Sequence, residues 1–419
     1  QFDPTYSFGF SWKIAEEEWF KNNVKWINQL NLRATYGIQG NVVTSVSPEL
    51  ITSYGKLLTG YNEYYSTISS LPNPYLKWER TRTWNLGLDM QLFNAVSMNL
   101  EYYGRRSNAI INQDVAEEYG MGTLRLNGGI IYNHGVEWSM NITPVHTKDW
   151  TFNIGLNASK NWNKTETDDR TARADELTHR DFISGNSSRP LRKGYSLYAF
   201  WAYDFTGLDS ETGLPNFRGA TLEKVSDDKN IDPTTFLVYA GESEPYFTGG
   251  INPRVRYKQF QLSASFALIL GSKKRLPNPY STFANGKLPS PLSNLSKQLL
   301  NRWKQPGDET KTTIPGLYTS VLDELNLYTP DGYFTNRYDM WANSTVRLVS
   351  GTFLRCSQLS FSYNFPKSIC QKIHAQAISL SGNTNNIFVI ASKKWNGYDP
   401  ETGSSRQPRI FSFGLSVSF

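Results

Sequence analysis

The sequence lacks several features that define common protein classes. It contains no apolar run of 18 residues, which excludes a bundle of membrane-spanning helices. Its only cysteines are Cys356 and Cys370, and the predicted strand between them separates the two residues by roughly 25–30 Å. A disulfide requires Cα atoms within about 7 Å, so we predict two free thiols.

Motifs for catalysis, metal binding and nucleic-acid binding are also missing. The four histidines, at 134, 146, 179 and 374, have no metal-ligand spacing, and no nucleophile elbow or phosphate-binding loop occurs. The net charge is +6, but no basic block alternates with aromatics. Segments 209–213 and 399–403 both have the pattern D-x-E-T-G, which favours a tight turn over a calcium loop. We predict no enzyme activity, no metal or cofactor, and no nucleic-acid partner.

Aromatic residues are abundant, at 14% of the chain, and many lie on alternating strands. In the last stretch, 408–419, the positions of Phe411, Phe413, Leu415, Val417 and Phe419 alternate with serine and glycine. Successive side chains of a strand point to opposite faces, so one face of this strand is apolar and the other is small and polar. A soluble half-buried sheet and a membrane barrel both have strands of this kind.

The same alternation predicts strands along the whole chain. Predicted strands cover 6–13, 30–38, 83–92, 96–103, 136–142, 150–158, 195–205, 247–257, 260–270, 352–365, 375–382 and 408–419, and helices cover 14–22 and 291–304. Tryptophans 84, 138 and 150 lie on apolar strand faces, where we expect lipid or the interfacial aromatic girdle.

Loop length alternates between short and long. Short turns are predicted at 93–95, 143–149, 257–259 and 366–374, and long loops at 39–81, 105–132, 271–351 and 383–407. Outer-membrane barrels have short periplasmic turns and long extracellular loops, whereas compact soluble domains rarely have so many long loops. The pattern therefore predicts an all-β, antiparallel transmembrane β-barrel with long extracellular loops. The strand at 195–205 is ambiguous, so the count is 11 or 13 crossings, both odd, whereas closed bacterial barrels have an even number.

Seven sequence blocks resemble SusC/RagA-type TonB-dependent outer-membrane transporters. The clearest are LNLRATYGIQGN at 30–41, LKWERTRTWNLGLD at 76–89 and NHGVE at 133–137. Four others follow in the family's order, at 209–213, 245–250, 301–303 and 353–363. One small departure is Cys356, which follows Leu-Arg where the family has a hydrophobic or polar residue.

The resemblance implies that residues 1–419 are the C-terminal portion of a 22-stranded barrel. The signal peptide, the plug domain and the N-terminal strands would then lie outside this chain. The implied function is TonB-dependent import of large nutrients, oligosaccharides or oligopeptides. The implied partners are a SusD-like surface lipoprotein, the TonB complex acting through the absent N-terminal region, and outer-membrane lipid.

Aromatic residues in the long loops are candidate contacts for sugar faces or peptide side chains. They are Trp303, Tyr333, Tyr338, Trp341, Trp395 and Tyr398. The alternative is that they pack in loop cores or in the interfacial girdle. Two other functions remain open: a surface glycan- or host-binding β protein that does not transport, and a passive porin that needs no TonB.

Overall fold

A computed structural model of the chain describes residues 4–44, 46–114, 118, 123–166, 182–183, 192–225, 231–280, 292, 294–317 and 323–419. Strands dominate these residues. In chain order they are β1 (Tyr6–Lys13), β2 (Ile27–Asn41), β3 (Ile51–Leu58), β4 (Glu63–Ser70), β5 (Glu79–Leu92), β6 (Val96–Asp114), β7 (Thr123–His146), β8 (Trp150–Thr165), β9 (Ala199–Tyr203), β10 (Phe205–Leu208), β11 (Pro215–Phe217), β12 (Leu237–Glu242), β13 (Phe247–Tyr257), β14 (Phe260–Leu270), β15 (Lys273–Arg275), β16 (Asn326–Tyr328), β17 (Phe334–Asn336), β18 (Leu348–Ser350), β19 (Phe353–Asn364), β20 (Ala377–Ala391) and β21 (Ile410–Ser418).

Helical segments in the described residues are short. The α-helices are α1 (Glu18–Asn23), α2 (Arg337–Ala342) and α3 (Lys367–Cys370). Single 3₁₀ turns cover Ile14–Glu16, Pro233–Thr235, Lys297–Asn301, Asp308–Thr310, Asp323–Leu325, Thr345–Arg347, Gln371–Ile373 and Lys393–Trp395. Within the residues the structure describes, no helix has the length and hydropathy needed to cross a membrane.

Eleven strands form one antiparallel sheet in the order β1-β2-β5-β6-β7-β8-β13-β14-β19-β20-β21. Neighbours in this sheet follow one another along the chain, with only small loop strands between some of them. The sheet contains eleven strands rather than thirteen, because residues 195–205 contribute β9, which pairs with β12 outside the large sheet. This arrangement is a β-meander, and it confirms the predicted antiparallel all-β fold.

Short and long connections lie at opposite ends of the sheet. One end carries the connections 14–26, 93–95, 147–149, 258–259 and 365–376. The other end carries 42–78, 115–122, 166–246, 271–352 and 392–409. The predicted alternation of loop lengths is confirmed except at 115–122, which is shorter than 14–26 and 365–376, and β21 ends on the same side as the turn 93–95.

The two faces of the large sheet differ in polarity. One cross-strand row on the apolar face joins Leu32, Leu88, Leu100 and Trp138 as direct partners. The side chains of this face are exposed or half-buried even though they are large and hydrophobic, and Phe413 of the closing strand is 78% exposed. An exposed apolar band of this size is what lipid covers in a barrel. The face assignments predicted for the closing strand are correct.

Several predicted loops are wrong because the strands are longer than the predicted ones. The predicted loop 105–132 is mostly the continuation of β6 and β7, whose pairing extends to Asp114 and Thr123. Residues 383–391 belong to β20, and 39–81 contains the β3–β4 hairpin. Apolar residues in these stretches stand next to each other, at 110–111, 130–131 and 387–391, instead of alternating, so period-two alternation underestimates strand length at the long-loop end.

The predicted helix 291–304 is wrong where the structure describes it. Residues 291 and 293 lie outside the described residues, and from 294 onward only the 3₁₀ turn Lys297–Asn301 is helical. Ser296 caps this turn by accepting a hydrogen bond from the backbone N–H of Gln298. Arg302 then adopts an extended conformation with ψ of 163°, which ends the turn before a second one can form.

The main hydrophobic core lies in the long connections, not in the sheet. It is built from 166–246 and 271–352 and comprises Phe182, Ile183, Trp201, Tyr203, Leu214, Phe217, Phe236, Leu237, Tyr280, Leu299, Leu325, Leu327, Tyr338, Met340 and Trp341. We call this cluster the loop core. Both cysteines are buried and free, which confirms the prediction for the thiols.

Candidate functional site

The polar face of the first strands carries a connected ion network. The Arg33 guanidinium donates to Asp89 at 2.9 and 3.1 Å and to Glu101 at 2.9 Å. Asn99 donates to Asp89 at 2.6 Å, and Asn85 donates to Glu101 at 3.0 Å. These contacts satisfy every charged group in the network, so they stabilise the wall and leave a net negative surface.

A groove of about 630 Å³ lies on the same face further along the sheet. Its polar lining includes Asn141, Asn153, Asn252, Ser263, Gln358 and Ser360. Neighbouring strands hold these groups in place, since Ser263 and Ser360 share a hydrogen bond of 2.9 Å. Arg254 is the one charged residue among those the structure describes in the lining. Amide and hydroxyl groups of this kind bind other hydroxyls, amides or carboxylates.

Acidic residues are distributed unevenly over the large sheet. The strands β8, β13, β14, β19, β20 and β21 contain no aspartate or glutamate. The other five strands contain Glu79, Asp89, Glu101, Asp114 and Glu137. The large sheet is therefore divided into a first half, β1, β2, β5, β6 and β7, which contains these carboxylates together with seven lysine and arginine residues, and a second half without carboxylates.

A second cavity, of about 390 Å³, lies at the long-loop end of β19 and β20. We call it the terminal cleft. Its charged and aromatic lining consists of Arg355, Phe388, Lys393, Trp395, Tyr398, Asp399, Arg406 and Arg409. Both aromatic candidates from the last loop, Trp395 and Tyr398, are brought together here.

A buried ion pair forms one wall of the terminal cleft. Arg355 Nη2 lies 2.8 Å from each carboxylate oxygen of Asp399, and 3.1 Å from Glu401. Burial acts to raise the pKa of Asp399, but the hydrogen bonds from Arg355 and from the Glu401 backbone N–H outweigh it. The pKa of Asp399 therefore lies below its ordinary value, and the carboxylate stays ionised.

The two D-x-E-T-G segments form the same tight turn. Asp209 Oδ1 accepts hydrogen bonds from the backbone N–H groups of Glu211, at 3.1 Å, and Thr212, at 2.8 Å. Asp399 Oδ1 accepts from the equivalent N–H of Glu401 at 2.9 Å. These local bonds occupy the carboxylate oxygen, and they lower the pKa of Asp209, with the Thr212 backbone bond as the largest cause. Both segments are Asx turns.

Four of the six aromatic candidates lie away from the terminal cleft. Tyr338 is 2% exposed and donates to the Gly316 carbonyl at 2.6 Å. Trp341 is fully buried in the loop core and donates to the Thr313 carbonyl at 2.7 Å. Neither ring has surface left for a ligand. The sequence placed them in loops correctly, but it gave no sign that these loops have a core.

Trp303 and Tyr333 are half-buried, whereas Trp395 is buried. The Trp303 ring lies so close to Gly213 that a Cβ there would come within 2.3 Å of it. Tyr333 is half-buried, and its carbonyl accepts from the Thr329 backbone N–H at 2.9 Å. Trp395 is buried and donates to the Ser350 carbonyl at 3.0 Å, so its ring supports the terminal cleft. Tyr398 is half-buried in the lining and is the best placed of the six.

Sequence reasoning missed the polar groups of the groove, above all Arg254 and Asn252. They come from strands that the sequence predicts correctly, but their meeting depends on the register of five strands. The available signal was the complete lack of aspartate and glutamate in the last six strands.

No family model matches the chain. The chain is 25% identical over 451 residues to TonB-dependent receptor P3 of Formosa agariphila, covering 99% of this chain and 41% of the relative. It is 26% identical over 455 residues to TonB-dependent receptor SusC of Bacteroides thetaiotaomicron, covering 99% and 40%. The chain thus spans about two-fifths of the length of these curated relatives.

Solved structures share the fold. The RagAB peptide transporter matches with a TM-score of 0.70 and 22% identity, over 99% of this chain and 43% of that one. The RagAB peptide importer in its open-open state matches with a TM-score of 0.71 and 21% identity, over 99% and 42%. The barrel fold and the resemblance to SusC/RagA-type proteins are confirmed. The predicted outer-membrane placement is confirmed too, because TonB-dependent receptors are outer-membrane β-barrel proteins.

Proposed function

We propose that this chain forms the C-terminal portion of the barrel of a TonB-dependent importer of large nutrients, oligosaccharides or oligopeptides. The observation that carries the proposal is the large sheet itself. It has eleven consecutive antiparallel strands, an exposed apolar face, and a polar face with an ion network and grooves. In a barrel, the apolar face would contact lipid and the polar face would contact the aqueous lumen.

The two edges of the sheet support the presence of further strands. β1 pairs only with β2, and β21 pairs only with β20, within the residues that the structure describes. Each edge therefore presents a row of backbone N–H and C=O groups. In lipid each unsatisfied group costs several kcal/mol, so the edges must be paired. Strands N-terminal to this chain, completing a barrel of 22, would pair with both.

A barrel of this size needs a gate. Large barrels leave a wide lumen, so a passive channel would leak small solutes. An N-terminal plug moved by the TonB complex would allow uptake of large substrates without a permanent opening. In this mechanism the chain provides the wall, the lumen contacts and the long loops, and no covalent step is required.

The long-loop end is the proposed docking side for a SusD-like surface lipoprotein. The β3–β4 hairpin projects large exposed side chains there, including Tyr54, Tyr61 and Tyr64. The loop core gives the neighbouring connections a fixed shape. Exposed aromatic side chains on a rigid support are typical of protein interfaces. Affinity purification of the native importer from detergent extracts should recover a lipoprotein in stoichiometric amount.

The test of the proposal uses the full-length protein in its native cell. We expect it in the outer-membrane fraction, extractable only by detergent, with nutrient uptake that stops when tonB is deleted. Uptake that continues without TonB would instead indicate a passive porin. A protein that binds its ligand at the surface but whose deletion leaves uptake unchanged would be a non-transporting binding protein.

A further inference from the structure

We infer that the imported oligomer is anionic and carries carboxylate groups, and that a basic strip on the second half of the barrel wall binds them. The basic strip is defined as Arg254 in the groove together with Lys393, Arg406 and Arg409 in the terminal cleft. This inference rests on the proposed function, because it specifies the substrate of the same lumen.

The groove and the terminal cleft lie next to each other along one strand. Gln358 and Ser360 of β19 line the groove, and Arg355 of the same strand lines the cleft. Arg355 and Gln358 are three steps apart along the strand, which is about 10 Å. An extended oligomer of a few units therefore spans both cavities at the same time.

Charge in the terminal cleft is strongly unbalanced. Its described lining contains four cationic side chains, Arg355, Lys393, Arg406 and Arg409, and one carboxylate, Asp399. Asp399 is already bound by Arg355 through both of its oxygens. The three other cations therefore keep an uncompensated positive charge. None of the six strands in the second half of the large sheet, β8, β13, β14, β19, β20 and β21, carries an acidic residue to neutralise it.

The cations of the strip are available for a ligand. Arg254 and Arg409 are exposed and form no hydrogen bond or ion pair with any residue that the structure describes. Arg406 uses only its Nε, which donates to the Gly397 carbonyl at 3.1 Å. A free guanidinium edge binds a carboxylate through two parallel hydrogen bonds, which lysine cannot do.

Neutral groups beside the strip suit the rest of the oligomer. The amides of Asn153 and Asn252 and the hydroxyls of Ser263 and Ser360 surround Arg254, and Tyr398 lies beside the cations of the cleft. Such groups bind sugar hydroxyls and peptide amides equally well. In the first half of the sheet, Arg33 pairs with both Asp89 and Glu101, so that network offers an anionic chain no free cation.

The experiment measures binding to the full-length transporter in detergent, together with any lipoprotein that copurifies. Two anionic probes, a fluorescent oligogalacturonate and an oligoglutamate peptide, distinguish a sugar acid from an acidic peptide. Maltoheptaose and a Gly-Ser peptide of similar length are the neutral probes. We expect one anionic probe to bind at least tenfold more tightly than its neutral counterpart, and salt to weaken only the anionic probe.

Substitutions in the basic strip test whether the anionic probe binds there. The triple substitution Arg254→Gln, Arg406→Gln and Arg409→Gln should weaken binding of the anionic probe by about 10- to 100-fold. The matched control is Arg105→Gln, which removes an exposed positive charge from the first half of the sheet, away from the basic strip. It should change binding less than about twofold. A heat-dependent shift in gel mobility checks that each variant is folded.

The opposite results overturn the inference. These are tighter binding of the neutral probes, binding of neither anionic probe, or a triple variant that binds the anionic probe like the unmodified protein. TonB-dependent uptake of a neutral nutrient would also overturn it, while leaving the proposed importer intact. A different result would contradict the importer proposal itself, namely that the protein is found outside the outer membrane.

Discussion

Arg355 and Asp399 form a buried ion pair in which one guanidinium nitrogen lies 2.8 Å from both carboxylate oxygens. Arg355 belongs to β19, whereas Asp399 belongs to the connection 392–409, and their side chains are only 5% and 3% exposed. The pair therefore fastens the last long loop to the barrel wall and fixes the shape of the terminal cleft.

Asp399→Asn should release this loop. The substitution leaves the Arg355 charge buried, with Glu401 as its remaining acidic partner, so we expect a loss of about 3 kcal/mol. Limited proteolysis should cut near 400–407, and the unfolding midpoint in detergent should fall. Asp209→Asn is the matched control, because it changes the same atom in the other D-x-E-T-G turn. Equal losses in the two variants would contradict the role of the ion pair.

The stability of the terminal cleft should decrease at low pH. The pKa of Asp399 in the folded protein lies below its ordinary value of 3.8. Its stabilising contribution is therefore fully present above about pH 4 and is lost as the pH falls through the lowered pKa. Protease resistance of the last loop, measured with an acid-active protease from pH 5 down to pH 2, should decrease in the unmodified protein. The Asp399→Asn variant should show a much smaller pH dependence, and a parallel decrease would contradict the assignment.

Leu88→Arg should destabilise the barrel in lipid. Leu88 lies on the apolar face between Leu32 and Leu100, near the middle of its strand. A charge at the lipid midplane costs about 2–4 kcal/mol, which should appear as a lower urea midpoint in vesicles. Gln91→Arg is the control, since Gln91 is on the same strand and the opposite face. If both variants have the same midpoint, the assignment of Leu88 to lipid is wrong.

Tyr398→Ala and Trp395→Ala should separate binding from stability. Tyr398 is half-buried in the lining of the terminal cleft, so its loss should weaken substrate binding and leave the unfolding midpoint nearly unchanged. Trp395 is buried and hydrogen-bonded to Ser350, so its loss should cost about 3–5 kcal/mol. Unchanged affinity and uptake in both variants would remove this pair from the ligand-binding site.

Local patterns in the sequence predicted those parts of the fold that depend on residues close together in the chain. The hairpin around 93–95 follows from strict alternation on both sides, and the residues of the closing strand face the way their alternation indicates. Burial of Trp341 could not be predicted in this way. Its ring contacts Tyr280, and its indole donates to Thr313, so its position depends on segments far apart in the chain. Arg254 was missed for the same reason.

The loop core also has a consequence for the order of folding. The connections 166–246 and 271–352 are each about 80 residues long, and closing a flexible loop of this length costs roughly 3 kcal/mol more than closing a two-residue turn. Because both connections contribute to one hydrophobic cluster, that cluster can collapse before β13 and β19 dock. It would hold the ends of β8, β13, β14 and β19 near each other. These strands could then pair over a short distance in space, although they are far apart in sequence.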